Sequence, residues 1–460
     1  MGRTSASRIA AVAAAVLLAP LAGAGTADAA GLTWTISQSA AGSSPSQLVS
    51  VACTSPTSCF ATGSQGSSNT AQPLVESWDG VTWRLATTAP LSGATSSVLV
   101  GVSCPSASFC VAAGTETFSS SPEQALVETW NGAAWSVAPI PEPTGMSALS
   151  SLSCPSVSFC MAMGGGDIGP LVEVWNGTSW SLDPGPNAVA GASLGGLACA
   201  SSSACYAVGY VPANSGGDLT VVEAWNGSTW SSLPSASPSP NSFLLGATCV
   251  ATTSCTAVGY YGTAAGDSVT LVESFNGTSW TQVASPSPSG PDAGLNAVAC
   301  VTASSCVAVG RYFVTGANYQ TLVEAWDGNA WTVVPSPNAA FTNILQGVAC
   351  TSAAWCTAVG FDAPSTGGNV PLTEVGTSAT RTSTSLSSSA NPAVVGQTVT
   401  YRATVTPAPD GGTVSFTDGA AAISGCTAVA LSATGVATCS ASYPSSGTHS
   451  VAASYSGTAT

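Results

Sequence analysis

The sequence predicts an all-β chain, a seven-bladed β-propeller closed by its own N-terminal strand. Three observations predict it. A Cys-x5-Cys unit recurs seven times, as Cys53 with Cys59, Cys104 with Cys110, Cys154 with Cys160, Cys199 with Cys205, Cys249 with Cys255, Cys300 with Cys306 and Cys350 with Cys356. First cysteines step by 51, 50, 45, 50, 51 and 50 residues. A fixed period near 50 marks an architecture in which each repeat is one supersecondary unit. Each copy holds signals for four short strands, the content of a propeller blade. The seventh copy lacks its last strand, and a matching strand stands near the start of the chain.

The first residues read as an export signal. Arg3 and Arg8 form a basic region, Ile9 to Leu21 an apolar core too short to span a bilayer, and Ala27-Asp28-Ala29 a small-x-small cleavage site. We therefore expect a signal peptide at 1–29, the propeller at 30–378 and a C-terminal domain at 379–460. No cysteine stands directly after the cleavage point, no later stretch is long and apolar enough to cross a membrane, and no sorting tail is evident. The mature chain is expected to be secreted and soluble, with cell-wall association left open.

Sixteen cysteines in an exported chain read as disulfides. The expected links are the seven Cys-x5-Cys pairs and Cys426 with Cys439, eight in all. Zinc is the competing reading, but zinc sites space their cysteines more closely and need further ligands. The only histidine, His449, lies outside the repeats, so no metal and no cofactor are expected. There is no lysine. After cleavage four arginines (Arg84, Arg311, Arg381, Arg402) face twenty carboxylates, a net charge near −16. Without a basic cluster the chain is expected to engage no nucleic acid and to insert in no membrane. Its mostly neutral surface suits hydrogen bonding and aromatic stacking. We expect a monomer.

Aligned with one another, the copies share an apolar strand, Cys-x5-Cys, Ala-Val-Gly, a variable stretch, Leu-Val-Glu-x-Trp-Asn-Gly-x-x-Trp and a Pro/Ser-rich connection. The first hairpin turns between the two cysteines. In the chain-entropy model, stapling so short a loop removes roughly 2 kcal/mol of unfolded-state entropy. The second hairpin turns at Asn131-Gly132, Asn176-Gly177, Asn226-Gly227, Asn276-Gly277 or the Asp-Gly pairs at 79–80 and 327–328. These dipeptides predict two-residue type I′ turns. Asn176, Asn226 and Asn276 also begin glycosylation sequons, but the Asp-Gly copies make the turn the simpler role. Period-2 alternation puts Leu74, Glu76, Trp78 and Trp83 on one face and Val75 on the other. Both faces are apolar or small, as expected for sheets covered on both sides, with the tryptophans filling the space between successive sheets.

The seventh copy runs through Cys350, Cys356 and Pro371-Leu-Thr-Glu-Val375 and stops without its Asn-Gly-x-x-Trp strand. Gly31-Leu-Thr-Trp34-Thr-Ile-Ser matches Gly277-Thr-Ser-Trp280-Thr-Gln-Val, so the N-terminal strand is expected to complete the last blade and close the ring. An open array has no use for that offset and leaves edges exposed.

From Gly31 to Val375 the chain resembles bacterial secreted propeller repeats of the Ala-Val-Gly and Leu-Val-Glu-x-Trp-Asn-Gly-x-x-Trp type. That resemblance implies the propeller and no particular activity. Gly80-Val-Thr-Trp83 also resembles the Asp-box of sialidase-like propellers, but Asp79 adjoins Gly80 instead of preceding it by two. Beyond Ala379 the tryptophans and Cys-x5-Cys units end. Ser385 to Tyr401, Gly412-Thr-Val-Ser-Phe-Thr-Asp418 and Gly447 to Gly457 resemble bacterial Ig-like domains, which implies a β-sandwich. Cys426 and Cys439 flank a short turn near Ser432 to Gly435, so a hairpin disulfide is expected there.

Catalytic chemistry finds little support. His449 reads as structural, and without another histidine Ser-His-Asp and Cys-His systems are absent from the repeats. Glu76, Glu128, Glu173, Glu223, Glu273, Glu324 and Glu374 recur once per blade. Glycoside hydrolysis needs two particular carboxylates about 5–10 Å apart, whereas a residue repeated in every blade marks scaffold. Asp167, Asp218 and Asp267, in Gly-Asp sequences, read as turn residues because calcium wants several oxygen ligands per loop. The variable connections carry the candidate ligand-binding residues Tyr210, Tyr260, Tyr261, Arg311, Tyr312, Phe313, Tyr319 and Phe361, with Phe341 beside them. Capping of the blade ends is the alternative role for these rings. The function expected is a secreted, non-catalytic binding or adhesion protein whose partner is an extracellular glycan or a surface protein. The alternatives are a carbohydrate-active hydrolase or lyase using carboxylates such as Asp292 or Asp362, and a structural role in an envelope or spore coat.

Overall fold

Short runs of β-branched and apolar residues, punctuated by turn residues, fold each repeat into four antiparallel strands. The computed structural model describes residues 31–456, apart from 41–44, 90–92, 142, 144, 167–168, 187–190, 214–215, 317, 340, 379–381, 407 and 409–410. The expected signal peptide and Asp167 lie outside the described residues. The chain divides into two compact units, Ala27–Ser378 and one that holds Ala379–Thr460. No α-helix occurs among the described residues.

The first unit contains seven four-stranded sheets, numbered here one to seven, over residues 46–85, 96–137, 147–183, 193–233, 242–283, 293–334 and 342–378. In sheet five the strands are Ser242–Ala251, Ser254–Gly262, Ser268–Phe275 and Trp280–Val283, paired in that order. Sheet seven takes its fourth strand from the N-terminus. Leu32–Ser37 lies antiparallel to Val370–Ser378, with Trp34 opposite Gly376. Gly376 replaces the aromatic residue of the other repeats, and a Cβ there would meet the Trp34 ring at 2.7 Å. The glycine leaves room for the indole.

Alternate residues of the third strand face opposite neighbours. Leu74 packs with Trp78 and Trp83, whereas Val75 packs with Leu99, Val102 and Trp135 of sheet two. The core is thus a series of layers between sheets. Phe60 of sheet one reaches into the next layer, its ring centre 5.1 Å from Trp130 and 5.2 Å from Trp135. The first strand of each sheet carries a bulge, and the glycine of the Ala-Val-Gly run stands against it. A Cβ on Gly63, Gly209, Gly259 or Gly360 would lie 1.9 Å from a first-strand carbonyl oxygen, so only glycine fits.

All eight expected disulfides form. In the sheets Cys53 is bonded to Cys59, Cys104 to Cys110, Cys154 to Cys160 and Cys199 to Cys205. Cys249 is bonded likewise to Cys255, Cys300 to Cys306 and Cys350 to Cys356. Each ties first strand to second, with Cα atoms 3.9–4.1 Å apart. These cysteines do more than staple strands. The second cysteine of every pair, Cys59, Cys110, Cys160, Cys205, Cys255, Cys306 and Cys356, is at most 3% exposed and belongs to an inter-sheet core layer. Its sulfur is packing material as well as a cross-link, because the half-cystine faces the same apolar layer as the tryptophans. Five of the seven first cysteines are only partly buried, Cys154 and Cys199 being the exceptions.

The repeated glutamate links sheet to sheet. Ser39 Oγ donates to Glu76 Oε1 at 2.6 Å and the Ala40 amide to Oε2 at 3.0 Å, so the chain leaving the outer strand of sheet seven binds sheet one. The same link joins Ala89 to Glu128, Ser235 and Ala236 to Glu273, Ser285 to Glu324 and Ser336 to Glu374. Ser235 and Ser336 also donate to Thr220 and Thr321 of the sheets they leave, each at 2.9 Å. The Pro/Ser composition of these connections follows: serine supplies the hydroxyl, and proline holds an extended course without an N–H to satisfy. Sheet four differs, since Glu223 accepts from Ser232 of its own outer strand at 2.6 Å. Sheets one and seven also touch directly. The Ser46 amide donates to Asn369 O at 2.8 Å, matching Ser97 to Ala71 O and Ser147 to Glu123 O at earlier junctions.

The second unit has a sheet of Ser383–Ser388, Thr398–Thr406 and Val436–Ser442, and another in which Thr413–Asp418 pairs with Ala421–Ala422, Val429–Ala430 and Val451–Tyr455. Both contribute to one core that includes Val399, Tyr401, Val414, Phe416 and Ala437. His449 Nδ1 meets Asp418 Oδ2 and its ring stacks on Tyr443, a local clasp.

Two expectations are corrected. The second hairpins are not two-residue type I′ turns. Trp78 pairs with Trp83 and Trp130 with Trp135, leaving four-residue loops in which only the glycine has positive φ. The Asp79 or Asn131 side chain accepts the two backbone N–H groups at the far side of the loop, which makes the longer loop self-sufficient. The bond between Cys426 and Cys439 is no hairpin staple either. Cys426 O accepts from Phe416 of one sheet, while Cys439 lies in Val436–Ser442 of the other, so the bond joins the two sheets.

Burial pushes the carboxyls of Glu128, Glu273, Glu324 and Glu374 up to about 7. Between the ordinary glutamate pKa and 7 the folded chain keeps protons that the unfolded chain has released. Stability is therefore expected to fall as pH rises from 5 to 8, and Glu374→Gln should flatten the decline and raise the melting temperature at pH 8. Melting temperatures by circular dichroism check this; an unchanged or rising value over that range refutes it. Deleting Gly31 to Ser37 should remove both the fourth strand of sheet seven and the Ser39 approach to Glu76. A clear loss of stability in urea denaturation is expected, and a truncated protein as stable as the whole would contradict the pairing.

Candidate functional site

The residue after the glycine of each Ala-Val-Gly run occupies one equivalent place in all seven sheets. It is Ser64, Thr115 and Gly165 in sheets one to three, and Tyr210, Tyr260, Arg311 and Phe361 in sheets four to seven. Small residues thus stand on one side of the unit and large ones on the other. Most of these large residues were expected in loops; the structure places them in strands. The second strand runs past its glycine and stays paired, with Tyr210 opposite Thr220 and Arg311 opposite Thr321. Phe341 alone of the named rings lies outside a strand, and it is exposed.

Across sheets four to six these residues meet. The Tyr210 ring lies 4.9 Å from Phe243 at 67°, and Phe243 stacks on Tyr260 at 4.8 Å and 25°. Tyr260 reaches over the first strand of sheet six, where a Cβ on Gly294 would come within 3.3 Å of its ring. Gly294 lies directly opposite Arg311. The Arg311 guanidinium sits 5.3 Å above the Tyr319 ring, and Phe313 meets Tyr319 edge-on at 5.4 Å. The Tyr319 hydroxyl donates to Asp292 Oδ2 at 2.6 Å, and this bond, ahead of burial, raises the Tyr319 pKa. Arg311 Nη1 approaches Asn296 Oδ1 at 3.5 Å. Among the described residues Arg311 forms no ion pair, whereas Arg84 pairs with Asp79 at 2.9 Å.

Tyr210, Tyr260, Arg311, Phe313 and Tyr319 therefore form one strip, to which Phe243, Asp292 and Asn296 belong as well. Tyr261 and Tyr312 point elsewhere. Each packs against an inter-sheet core, and the Tyr312 hydroxyl donates to Gln320 Oε1 at 2.9 Å. Phe361 is half-buried in sheet seven without a ring contact to the strip among the described residues. Phe243 lies in a first strand, outside the variable connections that carry the other candidates. Its place opposite Tyr260 is the signal that aligning the first strands would have exposed.

Asn296 connects the strip to a cavity of about 360 Å³ lined by the first strands of all seven sheets. Its polar groups include Ser50, Ser150, Ser151, Asn296 and Gln346, and no charged or aromatic side chain lines it. Among the described residues no cluster of three His, Cys, Asp or Glu side chains is placed to hold a metal ion. The repeated glutamates are sealed between sheets. Asp362 is buried, which raises its pKa, and its Oδ1 has no hydrogen bond among the described residues. The arrangement offers ring faces, one guanidinium, one carboxylate and a polar recess. It suits holding a ligand.

Residues 386–460 match the family model of a bacterial Ig-like domain (group 3). No curated protein matches the chain. Among solved structures, YCF48 bound to D1 peptide is similar at 12% identity and TM-score 0.46, over 75% of this chain and 94% of that one. The SapL1 lectin in complex with alpha methyl fucoside follows at 12% and 0.39, over 68% and 100%. The Hadza microbial sialidase Hz136 stands at 13% and 0.40, over 69% and 63%. Likenesses this low carry no argument about function.

Tyr319→Phe removes the hydroxyl that binds Asp292 and should cost about 1 kcal/mol of stability in urea denaturation. A variant as stable as the parent would show that the bond contributes nothing.

Proposed function

We propose that this chain is an extracellular, non-catalytic binding protein whose seven sheets form a closed seven-bladed β-propeller and whose ligand sits on the strip from Tyr210 to Tyr319. The single observation that carries this reading is the one-sided strip, a chain of rings with one arginine outside any described ion pair, at equivalent places in neighbouring sheets. A capping role would call for similar residues all round, and sheets one to three have Ser64, Thr115 and Gly165 there. Closure is supported by the pairing of Leu32–Ser37 with sheet seven and by the hydrogen bond from Ser46 to Asn369. Eight disulfides and a bacterial Ig-like domain suggest an extracellular setting, and residues 1–29 are the export signal in this reading. The partner is an extracellular glycan or a surface protein, met by a monomer.

The test is retention on isolated cell walls and on intact bacterial cells. Retention should fall at least tenfold in the Phe243→Ala, Tyr260→Ala double variant, with the melting temperature within a few degrees of the parent. Equal retention of parent and variant would overturn the assignment of the strip.

A further inference from the structure

We propose that the strip and the cavity beside it form one site for the end of an uncharged, hydroxyl-rich glycan. This rests on the strip being the binding surface and goes further, by naming the ligand class and extending the site inward.

Charge balance points to the class. The acidic and basic side chains that act on Tyr260 are Arg311, Asp292 and Asp218. An anionic ligand would gain Arg311 but meet two carboxylates. A cationic ligand would gain the carboxylates but meet the guanidinium, which already covers the Tyr319 ring. Neither charge is matched. A sugar hydroxyl is both donor and acceptor, whereas guanidinium only donates and carboxylate only accepts. Arg311 and Asp292 flank one ring, Tyr319, with Asp292 Oδ2 held by the tyrosine hydroxyl. Neighbouring hydroxyls of one sugar can accept from the first and donate to the second while a C–H face covers a ring.

Geometry extends the site inward. Arg311 touches Asn296, and Asn296 lines the cavity. At about 360 Å³ the cavity falls at the small end of ligand pockets, roughly 300–1,000 Å³. Its lining sets Ser50, Ser150, Ser151, Asn296 and Gln346 among Val, Leu, Ala and Gly, so it offers hydrogen bonds without a charge. The first strands are the end strands of their sheets, paired on one side only, so a peptide remains the competing ligand and the titration includes one. Gly195 supplies a way to probe the recess, because a Cβ there meets nothing within 4 Å.

The experiment is calorimetric titration of the full chain with neutral gluco-, galacto-, manno- and chito-oligosaccharides, with their uronate counterparts and with an acidic peptide. At least one neutral oligomer should bind. Arg311→Gln and Asp292→Asn should each weaken it tenfold or more, and Gly195→Phe should do the same by filling the recess. Leu85→Ser, on an exposed outer strand, serves as the unchanged control. Tighter binding of uronates or of the acidic peptide, lost in Arg311→Gln alone, overturns the ligand class. Full affinity in Gly195→Phe overturns the inclusion of the cavity. If no oligosaccharide binds while the cell-wall retention still depends on Phe243 and Tyr260, this inference fails and the strip stands. If that retention is also insensitive, both fail.

Discussion

A carboxyl group buried between two sheets, and satisfied among the described residues in five of the seven from the sheet before it, is the interaction on which most junctions depend. Burying an ionised carboxylate is costly unless it is hydrogen-bonded or neutralised. Glu76, Glu273, Glu324 and Glu374 each take a serine hydroxyl from the outgoing chain of the preceding sheet. Where burial is deep the pKa rises to about 7 in Glu324 and Glu374, so near neutrality part of the population is uncharged. In these sheets the glutamate thereby requires its neighbour, whereas Glu223 of sheet four takes its donor from Ser232 of its own outer strand. The link from Ser39 to Glu76 places the last junction under the same rule as the others.

Other repeated residues hold the sheet itself together. The Ala-Val-Gly glycine admits the bulged first strand at a distance no side chain allows. The disulfide staples the first two strands at their far end, and its buried half, such as Cys205, fills the layer beside the next sheet. Between them the interior strands are held so closely that Gly246 and Gly347 approach the backbone of adjoining sheets. A scaffold constrained at both ends of its first strand tolerates variation only where the second strand runs out toward the third. There the seven sheets differ most.

That freedom is used unevenly. Sheets one to three keep small or polar residues at the place after the glycine, and sheets four to six build the strip from Tyr210 to Tyr319. Gly294 and Tyr260 show how two repeats depend on each other. The missing side chain in sheet six is the space that the ring from sheet five enters. A site made this way belongs to the junctions, so no single repeat contains it.

The sequence by itself determined the seven units, their strand order, the eight disulfide partners, the borrowed N-terminal strand and the structural place of the repeated glutamates. These follow from periodicity and from local spacing, which a chain displays sevenfold. Tertiary structure alone decided the rest. The loops after Trp78 and Trp130 are four residues long because a side-chain oxygen of Asp79 or Asn131 satisfies them, a choice their dipeptides do not reveal. Cys59 and its six counterparts are core residues because the second strand is covered by a neighbouring sheet, which pair spacing alone does not show. Cys426 and Cys439 join two sheets because the chain between them crosses the sandwich. Tyr261 turned into a core and Tyr260 into the strip, though they adjoin, since neighbours on a strand face opposite sides. Phe243 joined the site through a ring contact with Tyr210 of the preceding sheet, and Asp292 and Asn296 through side-chain bonds to Tyr319 and Arg311 of sheet six, contacts that sequence separation does not reveal.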